Sequence, residues 1–328
     1  MERIEGKNMS KRIAILTSGG DAPGMNACVR AIIKYALKKS FEVYGIHDGY
    51  KGLVEDDIFP MTRSNAVDIL NIGGTFLGTA RFPEFVEEEY QDKACENLKK
   101  HKIDTLIAIG GDGTYRGAYS LHLKGINCIG IPATIDNDVI GTDYTIGFHT
   151  AVNTIVEALE RIRDTSQSHH RCTIVEVMGN QCGDLAIYSG ICGGAEMVIT
   201  KDTGYDINEI VDNVNYYDRV LHKRHAMIII SEKIADINEL ANAITDGTDY
   251  EGKTIELSYI QRGGAPVPQD RILATGLGTL AVDCAENEES GICLGLEHDQ
   301  YVKTPMEIAQ KEKRKSRDYL YDAFYKTI

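Results

Sequence analysis

Short apolar runs rich in β-branched residues alternate along the chain with longer stretches in which apolar positions recur at three- and four-residue spacing. The runs at residues 12–17, 42–47, 105–109, 128–131, 173–177, 226–231 and 255–260 predict strands. Several are continuous rather than alternating, as expected of strands covered on both faces. Between them, residues 25–39 place Val29, Ile32, Ile33, Ala36 and Leu37 on one helical face. Helices are likewise predicted at about 84–100, 150–164, 207–220, 237–244 and 271–284. Strand alternating with helix predicts an α/β fold with parallel sheets and helices on both faces.

In such sheets ligands bind outside the carboxyl ends of the strands. Four predicted strand ends carry glycine loops or paired carboxylates: Ser18-Gly19-Gly20-Asp21, Gly110-Gly111-Asp112-Gly113-Thr114, Pro132 to Asp138, and Arg262-Gly263-Gly264. No internal repeat and no linker between independent domains stands out.

Composition narrows the function. The chain of 328 residues has 43% hydrophobic and 26% charged side chains and a formal charge of −14. An acidic balance argues against nucleic acid as a partner. It also means that an anionic substrate must be caught by local basic clusters. The eight cysteines form no Cys-x-x-Cys pair, so buried, reduced thiols in a cytoplasmic protein are expected. No stretch nears the roughly 18 apolar residues of a membrane helix. Residues 1–10 lack the apolar centre of a signal peptide, and Met9 is a candidate start.

The loop Gly110–Thr114 is the strongest local signal. Glycines let the backbone approach a phosphate, and the following helix adds its positive end. Asp112 in that loop would repel phosphate unless Mg²⁺ stood between them. The alternative is a tight turn with Asp112 as helix N-cap. In Thr134-Ile135-Asp136-Asn137-Asp138, an extended chain would project both carboxylates to one side, where one could take a hydroxyl proton during phosphoryl transfer. Basic groups gather at Arg161, Arg163, His169, His170 and Arg171, and again at His222 to His225; Arg81 and Arg262 sit by glycine loops. Arginine forks suit phosphate oxygens, though solvated faces also carry such runs.

Taken together and in this order, these strings resemble the bacterial-type ATP-dependent 6-phosphofructokinase family. The resemblance runs over about residues 11–300. It includes Leu16 to Asn26, Gly73 to Arg81, Gly110–Thr114, Thr134–Asp138, Gly141 to Phe148 and Ile260 to Gly264. It implies two similar doubly wound lobes, with ATP and fructose 6-phosphate in the cleft between them. The nucleotide lobe is expected at residues 9–146 plus 260–311, the sugar-phosphate lobe at 147–259 plus 312–328. By the resemblance, Gly20, Arg81, Phe82, Gly111, Asp112, Gly113 and Thr114 hold ATP, and Asp112 binds Mg²⁺. Asp136 is the base, positioned with Thr134. Met178, Gly179, Asn180, Glu232, Lys253, Tyr259, Arg171 and Arg262 line the sugar phosphate. Arg171 is expected to reach in from a neighbouring subunit of a homotetramer. Arg30, Lys34, Arg63, Arg163, Glu196 and Lys223 match the family's effector site. Gly113 points to ATP rather than pyrophosphate.

Several positions depart from the family pattern. Asn180 stands where arginine is usual, Tyr259 where histidine is, Lys253 where a second phosphate-gripping arginine is, and Ala133 where ATP users carry glycine. Losing one charged transition-state contact costs roughly 10²–10³ in rate, and a point charge replaces a fork at Lys253. The departures leave two further readings open: a kinase for another phosphorylated sugar, and a weakly active or regulatory paralog that binds nucleotide or sugar phosphate.

Overall fold

The computed structural model describes residues 10–311 and 316–328. Residues 1–9, with the signal-peptide and start-site expectations, and residues 312–315, at the expected lobe boundary, lie outside that range. The described chain forms two compact units. One comprises residues 10–133, Val139–Ile146 and 265–311; the other comprises Thr134–Asp138, Gly147–Gly264 and residues 316–328.

The first unit is built on a seven-stranded sheet. Its strands are β1 (Arg12–Thr17), β2 (Glu42–Ile46), β3 (Ile58–Met61), β4 (Thr105–Gly110) and β5 (Asn127–Pro132). Three of these belong to its parallel centre, β5-β4-β1, which β2 extends on one side. The second unit holds β6 (Arg171–Val177), β7 (Met197–Ile199), β8 (Ala226–Ser231) and β9 (Glu251–Glu256), in the order β7-β8-β6-β9, all parallel. The chain then returns to the first sheet with β10 (Ile292–Glu297), parallel to β5, and β11 (Gln300–Pro305). Antiparallel β3 and β11 form the two edges of the larger sheet. The α/β class with mainly parallel sheets is as expected, but one sheet has seven strands and the other four, so the two units differ in size.

Central strands are buried along their whole length; β4 and β8 expose no residue. Ile107, Ile109, Ile129 and Ile131 in one sheet, and Ile228, Ile229 and Ile230 in the other, are fully buried. Each such side chain stabilises by about 1.5–3 kcal/mol relative to exposure. In the second unit, Val214, Leu240 and Ile244 close the core over Ile174 and Ile228. Helix starts are set by local chemistry: Asp206 Oδ1 accepts from the backbone of Asn208 and Glu209, and Asp236 Oδ1 from Asn238 and Glu239. Each such cap is typically worth ~1 kcal/mol.

Several elements differ from the sequence expectation. The predicted strand at 255–260 lies earlier, as β9, an exposed edge with the polar sequence Glu-Gly-Lys-Thr-Ile-Glu. Residues Ser258–Arg262 form a 3₁₀ turn instead, entered through Ser258 at φ 46°. The helix expected over 84–100 is interrupted at the extended Glu87, separating a 3₁₀ turn, Pro83–Val86, from the helix Glu88–Lys100. The helix expected at 150–164 runs from Phe148 to His169 and ends where His170 turns left-handed. The hairpin β10–β11 turns on His298 and Asp299, both at positive φ. All eight cysteines are free thiols; six are buried and Cys192 is exposed. Among the described residues no helix is long and apolar enough to cross a membrane.

Candidate active site

The glycine loops of the first unit converge at the carboxyl ends of β1 and β4. Ser18 donates its backbone N–H to the Ile109 carbonyl at 3.0 Å, and the Thr114 hydroxyl donates to the Ser18 carbonyl, also at 3.0 Å. A Cβ at Gly110 would lie 2.2 Å from Thr114 Oγ1 and 2.4 Å from the Ser18 carbonyl, so only glycine permits that approach. Thr79 donates to the Gly19 carbonyl at 2.7 Å, bringing the loop before Arg81 against Gly19-Gly20. Phe82 packs edge-on to Tyr90 at 5.2 Å, and Arg81 is exposed.

The helix Asp112–Leu123 begins directly in the loop, with Gly111 as its N-cap. Asp112 is therefore not the cap but an exposed carboxylate in the first turn. A Cβ at Gly113 would meet only Arg116 Nη2, at 3.8 Å, so no packing demand explains glycine there. Backbone N–H groups at a helix start favour phosphate. One carboxylate beside such a start fits a magnesium ion that shares its oxygens with substrate phosphates. Among the described residues no three His, Cys, Asp or Glu side chains gather as a metal cage.

In the second unit the segment Thr134–Asp138 carries the buried carboxylate. Asp136 donates its backbone N–H to Thr134 Oγ1 at 3.2 Å. Asn137 is left-handed at φ 54°, so the segment is not the extended stretch expected, and its two carboxylates are brought into range by a turn. Burial pushes the Asp136 carboxyl up to about 7. That value includes the raising effect of Asp138 and Glu232 and the opposing pull of Arg262 and Lys233. Among the described residues the buried Asp136 Oδ1 accepts no hydrogen bond, and the buried Arg262 Nε donates none.

Around it stand residues from the ends of β6 and β8. Met178 donates its N–H to Gln261 Oε1 at 3.1 Å, and Gly179 lies at φ 147°. Asn180 donates its N–H to Glu232 Oε1 at 2.9 Å and its side-chain amide to Asp138 Oδ2 at 3.2 Å. Lys233 Nζ reaches Asn180 Oδ1 at 3.4 Å. Tyr259 is exposed, with the Arg262 guanidinium 5.7 Å over its ring. Lys233 and Gln261 were not singled out from sequence. The first adjoins a singled-out residue, and the second lies inside a quoted string.

Arg171 and Lys253 are elsewhere. Arg171 begins β6, at the opposite end of that strand from Asn180. It shares Glu251 with Lys253, at 2.8 and 2.6 Å, and the two cations hold that carboxyl down at about 2. Of the effector-type residues, Arg30 and Lys34 lie one turn apart on the helix Met25–Lys38, and Arg63 begins the 3₁₀ turn packed near it. In the second unit Lys223 pairs with the buried Glu196 at 2.8 Å, and Arg163 donates to the Gly194 carbonyl at 3.5 Å.

The sequence model of the phosphofructokinase family matches residues 12–285. A Vibrio cholerae protein named ATP-dependent 6-phosphofructokinase is 49% identical over 315 residues, 95% of this chain and 98% of its own length. One from Aliivibrio fischeri with the same name is 52% identical over 295 residues, 90% and 92% of the two chains. The phosphofructokinase structure from Saccharomyces cerevisiae matches at TM-score 0.84 and 32% identity, over 92% of this chain and 45% of the yeast chain, so this chain spans under half of that one. A pyrophosphate-dependent phosphofructokinase from Marinobacter aquaeolei shares the fold at TM-score 0.83 and 20% identity, over 94% and 86%. With the buried carboxylate, the glycine loops and the sheet order pointing the same way as these matches, the chain belongs to the phosphofructokinase family.

Proposed function

We propose that this chain is an ATP-dependent 6-phosphofructokinase. It transfers the γ-phosphoryl group of ATP to the 1-hydroxyl of fructose 6-phosphate, yielding ADP and fructose 1,6-bisphosphate, a step of glycolysis. The observation that carries the reading is Asp136, a partly buried carboxylate whose Oδ1 is buried and accepts no hydrogen bond among the described residues, with its proton affinity raised to about 7. A base with that affinity is matched to a hydroxyl proton at neutral pH. The names and identities of the bacterial relatives support the substrate pair.

Each chain group has a task. The first-turn backbone of Gly111, Asp112, Gly113 and Thr114, with Gly20, Arg81 and Phe82, binds the nucleotide. Gly113 leaves room for it. Asp112 would hold Mg²⁺, which when bound neutralises phosphate charge. Thr134 and Asp136 orient the acceptor hydroxyl, and Asp136 takes its proton. Glu232 and the backbone at Met178–Asn180 hold sugar hydroxyls, and Arg262 holds the 6-phosphate. Arg171, at the start of β6, and Lys253, on β9, serve a neighbouring subunit in a homotetramer. Arg30, Lys34, Arg63, Arg163, Glu196 and Lys223 form effector contacts, and the enzyme works in the cytoplasm.

The test is a coupled ADP-release assay with Mg²⁺-ATP and fructose 6-phosphate, with Asp136→Asn as control. Saturable turnover lost in the variant is expected. Turnover absent in the wild type, with ATP still bound, rejects fructose 6-phosphate as substrate.

A further inference from the structure

Asn137 sits between the carboxylates Asp136 and Asp138, fully buried. Its side-chain amide donates to Asp184 Oδ2 at 2.7 Å, and the same oxygen accepts from Arg317 Nε at 2.9 Å. The Asp184 and Arg317 side chains are only 6% and 12% exposed. The Arg317 guanidinium also lies 5.6 Å over the ring of Tyr188, one turn along the helix Asp184–Gly193.

The C-terminal helix anchors Arg317. That helix, Asp318–Tyr325, packs on the helix Asp184–Gly193 and buries Phe324. Its Tyr321 hydroxyl lies 3.0 Å from Thr200 Oγ1. A Cβ at Gly183 would lie 2.4 Å from the Tyr321 oxygen, so the residue before Asp184 is one that lets the tail come close. Charge-assisted hydrogen bonds are the strong ones. Removing one partner of a buried pair leaves an uncompensated charge. Asp184 is thus fixed from one side by the tail and from the other fixes the residue between the two carboxylates.

We infer that Arg317 is a positioning residue for phosphoryl transfer: through Asp184 and Asn137 it sets the orientation of Asp136 and Asp138. The inference rests on the reading of Asp136 as the base. The path from Arg317 to the two carboxylates runs through Asp184 and Asn137. Without it the Asp136 segment loosens and admits water. The charged groups facing Asp136 are Asp138, Glu232, Arg262 and Lys233, and none is altered by a change at Arg317. Since burial is the first cause of the raised Asp136 affinity, loosening moves its titration to lower pH.

The experiment compares the full chain with Arg317→Met and Arg317→Lys. Turnover is measured against pH with Mg²⁺-ATP and fructose 6-phosphate. Titration of Asp136 is followed without substrate by ¹³C NMR of aspartate-labelled protein, assigned with Asp136→Asn. For Arg317→Met the expected results are a kcat lowered 10- to 100-fold, the scale of a small misplacement, and KM for ATP within about twofold. The Asp136 midpoint should move to lower pH, with Arg317→Lys recovering part of both effects. An active wild type whose midpoint and kcat are unchanged in Arg317→Met overturns the inference. An inactive wild type whose midpoint still moves in Arg317→Met rejects the kinase reading and upholds the brace. Should Arg317→Met fail to fold, Asp184→Asn, which keeps an acceptor oxygen, carries the same two readouts.

Discussion

Asn180 and Asp138 are joined by a hydrogen bond of 3.2 Å, with the Asn180 amide donating to the carboxylate next but one to the proposed base. Asn180 lies at φ 52°, a conformation that asparagine tolerates and most residues do not. Arginine there would add a cation beside Asp138 and Asp136 at a backbone cost of about 1–2 kcal/mol. Asn180→Arg is therefore expected to lower the stability by that amount. It should shift the acid limb of kcat/KM to lower pH and lower KM for the sugar phosphate. An unmoved limb would remove Asn180 from the electrostatics of Asp136.

Asp136 couples activity to stability. Its folded affinity for protons is raised from 3.8 to about 7. The folded state therefore binds the proton more tightly than the unfolded one, and stability falls as pH rises from about 4 through 7. Above pH 7 the full penalty stands, up to about 4 kcal/mol. Asp136→Asn removes it. The variant should lose roughly 10²–10⁴ in kcat yet resist urea better than wild type at pH 8. Unfolding curves at pH 4, where both forms are near-neutral at this position, should converge.

The two glycines at 110 and 113 separate fold from ligand. Gly113→Ala introduces a Cβ that makes only an ordinary contact with Arg116, within a helical turn. Its melting temperature should hold or rise, by up to about 1 kcal/mol in stability, while KM for ATP rises tenfold or more. An unchanged KM would mean that the nucleotide does not lie over this turn.

Gly110→Ala should do the reverse. Its Cβ would collide with Thr114 and the backbone of Ser18. Overpacking of this kind costs about 1–3 kcal/mol, so a lowered melting temperature is expected together with weakened ATP binding. Thermal melts with and without ATP distinguish the two variants.

Much of the architecture is legible in the sequence because buried parallel strands are continuous apolar runs; β1 and β8 fall where their runs do. What is not legible has identifiable causes. β9 is polar and exposed, so apolarity could not mark it. The β10–β11 turn uses His298-Asp299 where Asn-Gly would have signalled a hairpin. In the site, the loops and Asp136 could be read from local strings. The Asp184 contacts could not: Asn137 and Asp184 are 47 residues apart, and Asp184 and Arg317 133. Nothing in a local pattern links an arginine in the tail to an asparagine in a loop. Nor could spacing show that Arg171 and Lys253 share Glu251, a consequence of the register that sets Arg171 opposite Glu251.

That separation has a meaning in time. Chains emerge N-terminus first at about 5–20 residues per second. Arg317 is therefore made some seconds to half a minute after Asp184, 133 residues earlier in the chain. For that interval Asp184 sits on the nascent chain before the Arg317 guanidinium that pairs with it exists. Arg317, which reaches Asn137 through Asp184, joins the chain well after both, so assembly of that loop is ordered by translation itself.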